Sequence, residues 1–169
     1  MGFTKGNNQA LRQAQGRYLW LLNPDCEVLP GSTGRMVDYL DAHPQVGGLG
    51  PQLLFPDGRV QSSRRRFPTL RTGFIESTIL QRWLDGSKVV RDYYCADVPD
   101  DLTQEVDWLV GACLMLRREA IDRVGLLDED YFMYSEELDW CYRAKKAGWK
   151  MVYLPEARVV HHEGKSSEQ

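Results

Sequence analysis

A chain of 169 residues has the size of one ordinary domain. Apolar residues make up 43% of it and charged residues 27%, which excludes a disordered chain, a collagen and a coiled coil. Lys and Arg number 21 against 24 Asp and Glu, and this net charge of −3 argues against a general nucleic-acid binder. The basic run Arg64–Arg65–Arg66 is too short to track a phosphate backbone.

No stretch approaches the ~20 apolar residues of a membrane-spanning helix. Met1 to Lys5 carry no apolar signal core. The cysteines at 26, 95, 113 and 141 form no C-x-x-C pair, so free thiols in a reducing cytoplasm are expected.

In chain order, Asn7 to Gln15 reads as a short helix, with Ala10, Leu11 and Ala14 on one face and Gly16 at its end. Arg17 to Leu22 is apolar nearly throughout, the pattern of a strand buried on both faces in a parallel sheet. Asn23-Pro24-Asp25 breaks it, which puts Asp25 in a loop at a strand's C-terminal end, where open α/β sheets bind ligands. Thr33 to Ala42 is a second helix with Met36, Val37 and Leu40 as its stripe, stopped by Pro44. Val46 to Gly50 is a short strand. Gln52 to Phe55 and Arg59 to Ser62 form a hairpin around Pro56-Asp57-Gly58.

Residues 64 to 104 are the variable, least legible part. Leu70 to Trp83 has helical register through Phe74, Ile75, Thr78, Ile79 and Arg82. Asp85 to Asp101 reads as an exposed segment, either a functional loop or a plain surface insertion. Val106 to Leu116 is a strand or pair of strands around Gly111. Arg118 to Val124 is a short helix ended by Gly125. Ser135 is placed to N-cap a helix to Ala147, with Gly148 closing it. Met151 to Leu154 is a strand ended by Pro155. Arg158 to His161 leads to a polar tail, 163 to 169. Alternating strands and helices give an α/β class with a mixed sheet, in one domain spanning 1–169.

Three spots carry groups suited to chemistry. Asp25 in its loop either holds a hard divalent ion or stabilises a turn. Glu136 and Glu137 open a helix, where they either complement its dipole or supply a general base. They point about 100° apart, so at most one faces a given site. Asp139 and Arg143 stand at i, i+4 and can pair. His161 and His162 follow a strand and point to opposite sides, so at most one faces a pocket. No P-loop, nucleophile elbow or G-x-G-x-x-G is present. Gly47-Gly48-Leu49-Gly50 superficially suggests a phosphate cradle, but close strand packing is the better reading.

Taken together, the stretches from Gly2 to Asn8, Leu21 to Gly31, Val106 to Arg143 and Ala147 to His162, with Ser166, resemble a bacterial family 2 glycosyltransferase of the rhamnosyltransferase-like type. The resemblance implies a GT-A fold, a mixed sheet flanked by helices, and an inverting transfer from a nucleotide-diphospho-sugar to a glycan or lipid-linked acceptor, with a lean to rhamnose. It also implies a magnesium or manganese ion. By that resemblance Asn23 and Asp25 occupy the D-x-D position, with Asp25 and His161 as metal ligands. Glu137 is the expected base and Glu136 orients the acceptor. Trp108, Gly111 and Ala112 line the acceptor side. The charge at the helix start is expected to favour ionised Glu137.

Two departures stand out. The family's Glu-Asp pair is Glu136-Glu137 here, and Ser135 replaces an aromatic residue. The sequence also starts inside the first motif, so the nucleotide-base half of the donor pocket is expected to be missing. The strand at 17–22 would then have an uncovered edge open to self-association. An inactive truncated remnant or interaction module is the alternative, and a nucleotidyltransferase a third. A lipid-linked acceptor would place the cytoplasmic protein peripherally at the inner membrane face.

Overall fold

The computed structural model describes residues 2–76, 87–131 and 135–162, with the side chains of residues 75 and 76 excepted. Its central sheet has seven strands. β1 (Tyr18–Leu22), β8 (Cys113–Arg117), β3 (Val46–Leu54), β9 (Lys150–His161) and β2 (Cys26–Val28) form the main path. β4 (Val60–Gln61) pairs with β3, and β6 (Gln104–Val106) with β9. β5 (Arg64–Arg65) and β7 (Trp108–Leu109) make a separate two-stranded ribbon. The helices are α1 (Phe3–Gln13), α2 (Ser32–Ala42), α3 (Leu70–Glu76), α4 (Lys88–Tyr93), α5 (Arg118–Val124) and α6 (Glu136–Lys146).

The two long strands β3 and β9 run parallel, and the other pairings are antiparallel, so the sheet is mixed as expected. Close packing explains the glycines of β3. A Cβ on Gly47 would stand 2.8 Å from Trp149 Cβ, and one on Gly50 3.0 Å from a Leu109 methyl. The hairpin around Gly58 is present, with Gly58 at φ +84 and Leu53 opposite Gln61. Met36 and Leu40 of α2 are fully buried against Val46, Leu49 and Val152. Arg117, buried at the end of β8, donates to the carbonyls of Val46 and His43, tying the sheet to the C-terminus of α2.

Several expectations need correction. β1 is an edge strand, antiparallel to β8, rather than a central parallel strand. Leu19 and Leu21 face the core, while Tyr18 and Trp20 half-bury their rings on the α2 side, which makes the run look uniformly apolar. No strand pairs with the outer edge of β1 among the described residues.

β9 does not stop at Pro155. It continues to His161 because the β3–β9 register shifts between Pro51 and Gln52, where a bulge takes up the proline. α1 begins at Phe3, four residues earlier than the periodicity suggests, and buries Thr4, Asn8 and Leu11. Its polar buried face has no apolar signal to reveal it.

In α3 Thr72 is buried, whereas Phe74 is exposed. The expected continuation to Trp83 and the tail from 163 lie outside the described residues. The charged stretch 87–101 is not a bare surface loop. α4 buries Val90, Cys95 is buried behind it, and Arg66 pairs with Asp97 at 2.6 Å.

Candidate active site

The first half of the site forms where β1 ends. Asn23 to Cys26 make a tight turn, with the Cys26 N–H donating to the Asn23 carbonyl at 3.1 Å and Pro24 at the second position. The Asn23 N–H donates to the Ala112 carbonyl at 2.9 Å, seating the turn on the segment before β8. The Asp25 carbonyl accepts from the His162 N–H at 2.9 Å. These bonds fix both sides of the Asp25 side chain, which is only 6% exposed.

The β2–β9 register sets Cys26 directly opposite His161. His161 Nε2 lies 3.5 Å from Asp25 Oδ1, and its Nδ1 lies 2.9 Å from Gln61 Oε1. An amide oxygen can only accept, so Nδ1 donates to Gln61 while Nε2 faces Asp25. His162 points away, to within 3.8 Å of Glu27 at the surface. Only one of the two histidines therefore serves the site.

An Asp25 oxygen, the Cys26 sulfur and a His161 nitrogen all lie within 4.8 Å of one another. A carboxylate oxygen beside an imidazole nitrogen is a donor set that fits a divalent cation. Burial, reinforced by the Asp25 charge, pushes the Cys26 thiol up to about 11. It stays neutral and donates to the Ala112 carbonyl at 3.3 Å, a wall of the site.

The second half forms at the start of α6. Ser135 holds the N-cap position, yet it makes no side-chain cap and its backbone is left-handed at φ +71. The hydroxyl cap expected from sequence is absent. Glu136 is buried. Glu137 Oε1 accepts from the Gly111 N–H at 3.4 Å, and a Cβ on Gly111 would meet the Glu137 carboxyl carbon at 3.4 Å.

The Oε2 atoms of both acids are buried without a hydrogen bond among the described residues. Burial raises the Glu137 pKa, and the Glu136 charge raises it further; backbone N–H groups, Gly111's included, offset only part of this. Burial likewise raises Glu136. The helix start therefore does not favour ionised Glu137 as expected, because desolvation outweighs a dipole worth about 1 kcal/mol.

Trp108, Gly111 and Ala112 lie on one path past these acids. Trp108 is buried, its indole N–H donating to the Arg66 carbonyl at 3.0 Å. Ala112 supplies its carbonyl to the Asn23 turn, so residues 111 and 112 join the metal side to the acid side. Asp139 and Arg143 pair at 2.8 Å as expected, and Arg143 also ties α6 to the Val124 and Leu126 carbonyls.

Four contributors escape sequence reasoning. Gln61 is a polar residue in a hairpin strand, and only the register shows that it reaches His161. Cys26 stands next to Asp25, but its place opposite His161 needs the β2–β9 pairing. Asn8 clasps the loop before the acids, donating to the Leu127 carbonyl at 2.8 Å and accepting from the Leu127 N–H at 3.1 Å. Thr4 adds a bond to the Tyr131 carbonyl at 2.7 Å.

The family profile described as "Glycosyltransferase like family 2" matches residues 1–169. The chain is 37% identical, over 150 residues, to an N-acetylglucosaminyl-diphospho-decaprenol L-rhamnosyltransferase of Mycobacterium tuberculosis. That match covers 88% of this chain and 48% of the relative. It is 28% identical to the rhamnosyltransferase WbbL of Escherichia coli, covering 95% of this chain and 61% of the relative. The chain thus spans about half the length of the mycobacterial relative.

Among solved structures, GalNAc-T7 with UDP, GalNAc and Mn2+ superposes with a TM-score of 0.67 at 15% identity, over 95% of this chain and 30% of that one. The mannosyltransferase PcManGT of Pyrobaculum calidifontis, in complex with GDP-Man and Mn2+, gives 0.60 at 18% identity, over 98% and 38%. These likenesses show the GT-A fold. With the profile matching residues 1–169, the chain belongs to the family 2-like glycosyltransferases.

Proposed function

We propose that this chain carries the metal and acid half of an inverting glycosyltransferase. It moves a sugar from a nucleotide-diphospho-sugar to a hydroxyl of a glycan or lipid-linked acceptor. The observation that carries this reading is the buried Glu137 carboxylate seated on Gly111, one residue from the Ala112 carbonyl that holds the Asn23–Asp25 turn. The rhamnosyl donor and lipid-diphosphate acceptor are extended from the names of the relatives. Such an acceptor places the protein at the inner membrane face. Among the described residues no helix is long and apolar enough to cross a membrane.

Asp25 and His161 would hold a divalent ion, and the solved neighbours with Mn2+ favour manganese. When bound, such an ion offsets the charge that develops on the leaving diphosphate. Gln61 keeps His161 in the tautomer that leaves Nε2 available. Glu137 takes the proton of the acceptor hydroxyl as its oxygen bonds to the anomeric carbon and the bond to the nucleoside diphosphate breaks. A base with a raised pKa suits this step, since it accepts the proton more readily than an ordinary carboxylate. Glu136 lies beside it, placed to orient the acceptor. Transfer in one displacement inverts the anomeric centre.

The test is Glu137→Gln. The variant should lose transfer by about 10²–10⁴-fold while its Mn2+-dependent thermal shift with UDP, dTDP or GDP matches the parent. Near-normal turnover by Glu137→Gln sinks the assignment of the base. A folded parent chain with no shift for any nucleotide favours a non-catalytic remnant.

A further inference from the structure

Helix α6 meets the segment 106–111 at three polar contacts, spaced four residues apart on the helix. At its start Glu137 Oε1 accepts from the Gly111 N–H at 3.4 Å. One turn on, the Leu109 N–H donates to the buried Cys141 sulfur. At its end Lys145 Nζ donates to Asp107 Oδ1 at 2.6 Å and to the Val106 carbonyl at 3.2 Å. We propose that Lys145 and Asp107 are positioning residues for the acid pair. They set how far α6 can slide along this segment, and so whether Glu137 reaches Gly111. The proposal rests on the reading of Glu137 as the base.

The spacing explains how a pair two turns away can do this. Residues 137, 141 and 145 lie on one helix face, and they meet 111, 109 and 107 in reverse order. Eight residues of helix rise about 12 Å. Four residues of extended chain cover about 13 Å. Helix and segment therefore stay in step, and a slide in either direction strains the contacts at both ends. The Glu137 end has little slack, since a Cβ on Gly111 would already meet the Glu137 carboxyl carbon at 3.4 Å.

The segment itself is pinned. Asp107 Oδ2 accepts from the Phe67 N–H at 2.8 Å, and the Asp107 N–H donates to the Arg65 carbonyl at 3.0 Å. The Val110 N–H donates to the Ser63 carbonyl at 3.0 Å. Leu109 and Cys141 are buried between the two ends, but apolar burial is non-directional and does not choose a register. A charge-assisted hydrogen bond is short and directional, and does. On other faces of α6, Trp140 donates to the Gly125 carbonyl, and Arg143 to the Val124 and Leu126 carbonyls. Those bonds keep the helix docked on the 124–126 loop, not on the segment that carries Gly111.

The charges at the two ends are separate groups. Glu136 is the neighbouring charge that acts on Glu137. At the far end Lys145 faces Asp107, with Glu105 at 3.9 Å, and Lys150 pairs with Glu105 at 3.0 Å. The Lys145 and Asp107 side chains are 25% and 30% exposed, so breaking their bond leaves neither charge sealed from water.

The experiment follows the Gly111 amide and the Glu137 carboxyl by nuclear magnetic resonance across pH, in the labelled parent chain, Lys145→Met and Asp107→Asn. Asparagine at 107 can still accept from the Phe67 N–H. Positioning predicts that both variants move the Gly111 amide. It also predicts that both bring the Glu137 midpoint down toward the ordinary glutamate range, as the carboxyl gains water; Asp107→Asn should do so less, because Val106 and Glu105 still face Lys145. A field acting through space would split the two, since losing the cation raises the midpoint and losing the anion lowers it. A midpoint that rises in Lys145→Met, or a Gly111 amide that stays still in both variants, overturns the proposal. Lys145→Arg should restore the parent signals, and Lys145→Gln serves if Lys145→Met does not fold. In transfer assays kcat should fall by about 10²-fold in Lys145→Met, with Mn2+ affinity at the parent level. A parent chain without transfer, whose variants still move Gly111 and Glu137 as expected, counts against the transferase reading and leaves the positioning role standing.

Discussion

Gln61 Oε1 sits 2.9 Å from His161 Nδ1, on the side of the imidazole away from Asp25. The amide thereby decides which ring nitrogen is available to a metal. Second-sphere groups of this kind typically change metal affinity by about 10–100-fold. Gln61→Leu should weaken Mn2+ binding within that range, read by electron paramagnetic resonance titration of free Mn2+. Gln61→Glu, which can still accept from Nδ1–H, should recover most of the loss. Equal Mn2+ affinity in Gln61→Leu and the parent would remove Gln61 from the site.

Glu137 is raised by burial and by the Glu136 charge, so the acid limb of the rate profile should lie above the ordinary glutamate range. Removing that charge should lower it. Glu136→Gln is expected to move the limb to lower pH, measured as kcat/KM against pH with the acceptor held constant. An unmoved limb would mean that the titrating group is not Glu137.

The same pair bears on stability. A carboxyl whose pKa is raised on folding contributes stability that is fully present below its ordinary value, and that stability is lost as pH rises through the folded value. Above that range the fold holds two poorly solvated charges side by side. Glu136→Gln should therefore raise the melting temperature at pH 7.5 and change it little at pH 4. A lower melting temperature at pH 7.5 would contradict this.

Asn8 and Leu127 exchange two hydrogen bonds in the protein interior. Asn8→Leu would leave a buried N–H and C=O unpaired, at roughly 2–4 kcal/mol. Urea unfolding should show that loss, and the acids of α6 should lose their placement with it. Asn7, whose side chain bonds within its own helix to the Phe3 carbonyl, should tolerate alanine with a change of about 0.5 kcal/mol or less.

Gly47 faces Trp149 Cβ at 2.8 Å and Ala120 Cβ at 3.2 Å, atoms that cannot swing aside. Gly47→Ala should cost about 1–3 kcal/mol by overpacking. Gly34, with open space around it, should accept alanine without loss. Equal denaturation midpoints for the two variants would refute the packing account of the β3 glycines.

Local signals carried much of this fold. α2, α5, α6 and the Gly58 hairpin all have caps, stripes or turn residues that operate within a few positions of sequence. What depends on distant pairing was hidden. Nothing local says that β1 is an edge strand, since Tyr18 and Trp20 cover its second face from α2. Pro155 is a sound stop signal, overruled by a bulge that exists only because β3 lies alongside. At the candidate site, Asp25, His161 and Glu137 were singled out through the family resemblance. Gln61 and Asn8 were not, because each acts across 100 or more residues.

The Asn8–Leu127 clasp also has a consequence in time. During synthesis Asn8 leaves the ribosome 119 residues before its partner. Closing so long a loop carries an entropy cost that must be met before the contacts it brings can repay it. Helix α1 would therefore wait with a polar, half-formed face through most of translation. The sheet waits longer still, because β9 is made after Leu127 and its His161 pairs with Cys26. Docking of α1 and completion of the sheet should therefore share one late phase of folding.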